Sequence, residues 1–129
     1  MPYRATVFQL PCSARCLRME VTGAFTLEDA VALVQQLDPG GPFQGLPLLV
    51  LTQGMESVSS DARGRLARRG EQGGWEPWSA VVATNAIIRV TVNFVARLTR
   101  VRRTKLFATE VEALQWLDAR VLEDLRAPQ

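Results

Sequence analysis

A chain of 129 residues with 47% hydrophobic and 22% charged residues has the size and composition of one globular domain, which sets aside disordered and fibrous classes. It contains no histidine, and this removes Ser-His-Asp and Cys-His nucleophilic chemistry, histidine-ligated metals and a histidine pH switch together. Net charge is only +2, too near neutrality for a dedicated nucleic-acid binder, although Ala62 to Lys105 carries ten basic residues against Glu71 and Glu76.

Tyr3 to Leu10 predicts a first strand and Pro11-Cys12-Ser13 a turn. From Arg15 to Val21 the chain alternates, with Leu17, Met19 and Val21 on one side and Cys16, Arg18 and Glu20 on the other, so the pair reads as a half-solvated antiparallel hairpin. Gly23 is expected to turn the chain, and Thr26, with Asp29 three residues on, to cap a helix. Leu27, Ala30, Val31, Val34 and Leu37 form its buried stripe, and Asp38-Pro39-Gly40-Gly41-Pro42 ends it. Leu46 to Leu51 is the continuous apolar run of a central strand, followed by a polar loop from Thr52 to Ser60.

A short basic helix over about Asp61 to Arg69 leads through the Gly70 to Gly74 connector to a strand at Ser79 to Ala83. The next helix, about Ala86 to Val101, sets Ile87, Ile88, Thr91, Phe94, Val95 and Leu98 against a polar face of Arg89, Asn93, Arg97 and Arg100. A strand at Thr104 to Phe107 follows. Thr109-Glu110-Val111-Glu112 is a capping box opening the last helix, about Glu110 to Leu125, with Val111, Leu114, Leu117, Val121 and Leu125 turned inward. The order β-β-α-β-α-β-α-β-α predicts an α/β domain: a mixed five-stranded sheet with four helices, the later strands parallel and the first hairpin supplying an antiparallel edge.

The residues able to carry function fall into two groups. Ser57, Ser59 and Ser60 precede a helix: either they are caps and turn formers, or one is a phosphorylation switch that the helix N-terminus and Arg63 would favour. Asn85, Arg89, Asn93 and Arg97 share a helical face near the carboxyl ends of the central strands: either an ordinary solvated face, or a contact for an anion or small ligand. Cys12 and Cys16 read as free thiols, and Trp75 and Trp78 as core or rim packing more than a membrane anchor. No phosphate-binding or dinucleotide-binding glycine motif and no spaced carboxylate pair is present, so no catalytic residue, cofactor or metal is assigned.

The strand-to-helix passage Ser79-Ala80-Val81-Val82-Ala83-Thr84-Asn85, with Arg89 and Asn93-Phe94, together with Leu106-Phe107-Ala108-Thr109-Glu110 and Glu112-Ala113-Leu114-Gln115-Trp116-Leu117, resembles the SpoIIAA-like (STAS) family. The likeness is to the SpoIIAA-like proteins grouped with the CRAL-TRIO lipid-transfer proteins. It covers nearly the whole chain as topology and about the last third as motif. The resemblance implies a non-catalytic module that binds proteins or small anionic or lipidic ligands. It also implies a switch serine at the start of the helix after the central strand, near Ser59 or Ser60. Where that family shows an Asp-Ser-Ser-Gly type motif, this chain reads Val58-Ser59-Ser60-Asp61-Ala62.

No apolar run approaches the ~18 to 20 residues needed to span a bilayer, and Met1-Pro2-Tyr3-Arg4 lacks the apolar core of a secretory signal. The sequence therefore predicts a cytoplasmic, non-enzymatic regulatory or protein-interaction module with a protein partner. A homodimer is expected through the exposed edge at Tyr3 to Leu10. The alternative is a carrier or sensor of a small anionic or lipidic ligand held near Asn85 and Arg89.

Overall fold

The first strand, β1 (Tyr3–Gln9), folds back on β2 (Arg15–Phe25) in a seven-pair antiparallel register from Tyr3 opposite Val21 to Gln9 opposite Arg15. The turn is closed by Leu10 N–H donating to the Ala14 carbonyl at 2.8 Å and Ser13 N–H to the Leu10 carbonyl at 2.8 Å. After it come α1 (Leu27–Leu37), β3 (Leu48–Val58), α2 (Ser60–Glu71), β4 (Ser79–Val82), β5 (Thr104–Phe107) and α3 (Glu110–Arg126). This computed structural model describes residues 3–37, 40–43, 45–71, 78–83, 86, 89–90 and 104–126. The sheet order is β1-β2-β3-β4-β5; its antiparallel β1 edge and its parallel run from β2 onward are those the sequence predicts.

Three helices lie among the described residues, against four expected. The helix expected over Ala86 to Val101 falls almost wholly outside them; Ala86, Arg89 and Val90 are described and helical. The long strands differ from expectation too. Both β2 and β3 run for 11 residues, so the segment Thr52 to Val58 is strand rather than polar loop. The reason is visible in the register. Glu20 faces Leu51 while Thr22 faces Gly54, and Gly23 faces Met55 while Ala24 faces Ser57. Thus β3 accommodates an extra residue twice, and each bulge breaks the two-residue alternation that marks a strand in sequence. Gly23, with φ +66°, does not turn the chain; it lets β2 pass through one of these irregularities in a conformation that favours glycine.

Alternation along the strands sends two sets of side chains to opposite faces. Leu17, Met19, Val21 and Phe25 of β2 join Ala30 and Leu33 of α1 and Ala62 of α2 on one face. Cys16, Leu49, Ala80 and Phe107 join Ala113, Leu117 and Val121 of α3 on the other. Leu17, Met19, Leu49 and Leu117 are less than 2% exposed, each contributing roughly 1.5–3 kcal/mol by burial. The β2 strand is therefore covered on both faces at its start, not half-solvated: Cys16 and Leu17, neighbours on opposite faces, are both at 0%. Only further along, at Arg18 and Glu20, does the α3 face open to partial exposure.

The α1 cap forms as expected. Thr26 N–H donates to Asp29 Oδ2 at 2.8 Å and Asp29 N–H to the Thr26 hydroxyl oxygen at 3.5 Å, the reciprocal arrangement that satisfies free amides at a helix start. At α3, Glu112 N–H donates to the Thr109 hydroxyl oxygen at 3.3 Å. The inward stripe of α3 differs from the periodicity reading: Ala113, Leu117 and Val121 are buried, whereas Val111 and Leu125 are each 65% exposed. The helix rolls so that Trp116 packs on Phe107 (5.5 Å between rings) and edge-on against Trp78 (5.6 Å, 88°). The Trp78 indole donates to Asp124 Oδ2 at 2.6 Å, so this tryptophan is a packing and hydrogen-bonding residue at the rim of the α3 core.

Candidate functional site

Two places on the molecule gather polar side chains. The first is the junction of β3 and α2. Val58 is the last strand residue, and Ser59 N–H donates back to the Phe25 carbonyl at 3.0 Å, which fixes where the helix starts relative to the sheet. The Ser59 hydroxyl oxygen accepts from Ala62 N–H at 3.1 Å and its carbonyl accepts from Arg63 N–H at 3.0 Å. Ser59 is thus the N-cap, its side chain committed to satisfying a helix amide.

Ser60 sits one position further, exposed, with its hydroxyl oxygen accepting from Arg63 Nη2 at 3.3 Å. Ser57, also exposed, lies opposite Ala24 in the bulged part of the sheet. The fold thus brings the three predicted serines to one end of the sheet but gives them different local environments.

The second place is a cleft of about 560 Å³ on the α3 face, at the carboxyl ends of the shorter parallel strands. Here β4 ends at Val82 while β3 continues, and the chain turns from β5 into α3. The lining combines Arg18, Glu20 and Thr22 of β2, Leu51 to Gly54 of β3, Val82, and the Ala108-Thr109-Glu110 corner. At its bottom Thr52, 3% exposed, donates its hydroxyl to the Val82 carbonyl at 2.8 Å, satisfying a polar group that would otherwise be costly to bury.

Arg18 spans the cleft's side. Its Nε donates to Glu110 Oε1 at 3.3 Å and its Nη1 to Glu20 Oε1. Slight desolvation opposes its charge, but the hydrogen bonds to Glu20 and then Glu110 outweigh this and hold the guanidinium above its ordinary value. The crevice beyond strand carboxyl ends is where open α/β sheets commonly receive ligands.

Of the second predicted group, Arg89 is helical and exposed and is not among the cleft's described lining residues. Asn85, Asn93 and Arg97 lie outside the described residues, as do Arg100 and Trp75. Sequence reasoning missed Arg18, Glu20 and Glu110 as site residues. The only signal was local: Arg18 and Glu20 alternate with the apolar Leu17, Met19 and Val21, and Glu110 opens a helix shortly after a strand.

Of the thiols, Cys16 is pushed up to about 12 by burial, a hydrogen bond with the Leu49 backbone working the other way. Cys12 contributes its backbone instead, donating N–H to Asp118 Oδ1 at 2.8 Å and so tying the hairpin turn to α3. Both cysteines are free. Among the described residues no group of three or more His, Cys, Asp or Glu side chains is placed to hold a metal ion, and no helix is long and apolar enough to cross a membrane.

An antiparallel edge hairpin, a run of parallel strands in sequential order and helices divided between the two faces define a SpoIIAA-like, STAS-type fold. Among the solved structures that share it are these two. One is an uncharacterised protein of the DUF3478 family with a SpoIIAA-like fold from Shewanella loihica PV-4, with a TM-score of 0.63, 18% identity, and coverage of 89% of this chain and 93% of the other. The second is an anti-sigma factor antagonist from Mycobacterium paratuberculosis, with a TM-score of 0.53, 17% identity and the same two coverages, 89% and 93%. No curated protein matches the chain by sequence. Residues 16–120 match the family described as a domain of unknown function, DUF7793, and the chain belongs to that family.

Proposed function

We propose that this chain is a single-domain, cytoplasmic, non-enzymatic regulatory module of STAS type that acts by binding another protein, with the start of α2 at the contact surface and Ser60 as its switch. The observation that carries the reading is the division of labour between adjacent serines. Ser59 caps the helix through the 3.1 Å bond from Ala62 N–H, while Ser60 is exposed with the Arg63 guanidinium 3.3 Å from its hydroxyl. A phosphate on Ser60 gains from both the positive helix end and that guanidinium, and it changes the charge of the surface by nearly two units without removing the cap. Ser57, exposed at the end of β3, extends the same surface.

The fold shared with an anti-sigma factor antagonist supports the reading. The test is site-specific photocrosslinking in the host, with the crosslinker at position 60 and, as control, at Ala119, which is exposed on α3. The reading requires a discrete polypeptide adduct from position 60 and none from position 119. Equal adducts from both positions, or none from position 60, would reject it.

A further inference from the structure

The cleft on the α3 face has a chemistry of its own. Its described lining carries one positive charge, Arg18, and two negative ones, Glu20 and Glu110. Arg18 is already engaged by both carboxylates through their Oε1 atoms, so it offers no unneutralised charge to an anion. The start of α3 might be thought to attract an anion, but Glu110 and Glu112 occupy its first turn and offset the positive helix end. Among the described residues Arg18 reaches only the Oε1 atoms of Glu20 and Glu110, which leaves their second oxygens as acceptors. Arg4, opposite Glu20 on β1, is exposed and not part of the lining.

Beside these carboxylates the cleft has an apolar part. Leu51 and Val82 pair in register, pack against the α3 core and line the cavity. The site therefore presents carboxylate acceptors beside an aliphatic surface, in a volume of about 560 Å³ that falls within the usual range of small-molecule sites.

We propose that this cleft binds a small organic cation, an alkylguanidinium or alkylammonium, whose charged head meets the outer carboxylate oxygens of Glu20 and Glu110 while its aliphatic body lies on Leu51 and Val82. This ligand has the opposite charge to the anion expected from the Asn85 and Arg89 face, and Arg89 is not among the cleft's described lining residues. The site is independent of the α2 surface and stands whether or not Ser60 meets a partner.

The test is a backbone amide NMR titration of the full chain with agmatine, and with glutarate as an anion of similar length. Agmatine should produce saturable shifts at Thr22, Gly54, Val82 and Ala108, whereas glutarate leaves these amides unmoved. A Glu20→Gln/Glu110→Gln protein should bind agmatine at least about tenfold more weakly, the scale of losing charge-assisted hydrogen bonds. If the double variant does not fold, Glu20→Gln alone, retaining the shape of the side chain, carries the comparison. The proposal is overturned by the absence of saturable agmatine shifts at those amides. It is equally overturned by glutarate moving them as strongly, or by a folded variant that binds agmatine as the parent does.

Discussion

Leu117 and Leu125 occupy equivalent places in the hydrophobic periodicity of the last helix, yet the structure gives them opposite fates. Leu117 is 0% exposed in the α3 core and Leu125 is 65% exposed. Replacing Leu117 by Ala removes three buried carbon atoms from a cluster whose members include Ala80 and Ala113, side chains too short to reach into the space left behind. Truncations of this type cost about 2.7–5.0 kcal/mol, rising with the cavity that remains. With alanine neighbours the upper part of that range applies, about 4 kcal/mol.

Leu125→Ala, on an exposed last turn, should cost about 0.5 kcal/mol or less. Urea unfolding followed by tryptophan fluorescence reads both variants, since Trp116 lies in the affected cluster. With a slope of about 2 kcal/mol per molar urea, the Leu117→Ala midpoint should fall by about 2 M at unchanged slope, and Leu125→Ala should stay within about 0.3 M of the parent. Equal losses at the two positions would refute the roll of α3 onto Ala113, Leu117 and Val121.

Three further outcomes follow from the local geometry. Ser59→Ala should destabilise by about 1 kcal/mol through loss of the cap while Ser60→Ala changes stability by less than about 0.5 kcal/mol, measured by the same unfolding assay; the reverse ranking would contradict the assignment of cap and switch. Iodoacetamide at about pH 8 should leave Cys16 unlabelled in the folded chain and label it in urea, because the buried site disfavours the reactive thiolate; mass mapping of labelled peptides decides.

The same thiol makes stability depend on pH in a definite direction. Its folded value of about 12 lies above the ordinary 9.0, so the folded state prefers the proton. The contribution is complete below about pH 9 and is lost as pH rises toward 12. By about pH 10 the parent should lose on the order of 1 kcal/mol more than Cys16→Ala, and parallel pH profiles for the two proteins would count against it.

The five strands, the antiparallel edge and the parallel run were legible because each rests on a local pattern that tertiary contacts reinforce: the alternation at Leu17, Met19 and Val21, the apolar run before Leu51, and the cap at Thr26 with Asp29. The second half of β3 was not legible. Its two bulges place Thr52, Met55 and Val58 three residues apart instead of two, and a strand so interrupted resembles a polar loop. The roll of α3 was hidden for another reason. A helix packed on one face of a sheet chooses its buried side by what the sheet offers, here Phe107 and Leu49, and not by apolar periodicity alone.

The serines could be located in sequence as a group near a helix start, but which one caps and which one faces solvent depends on where β3 ends. The cleft was invisible as a site because its charged residues come from β2 and from the start of α3, 92 positions apart for Arg18 and Glu110.

The most direct measurement of the regulatory claim is the affinity of the polypeptide captured from position 60 for three forms of the chain: parent, Ser60→Ala and Ser60→Glu. The surface described here predicts that Ser60→Ala binds like the parent and that Ser60→Glu, carrying a permanent charge beside Arg63, binds about tenfold more weakly. Three indistinguishable affinities would contradict a switch at the start of α2.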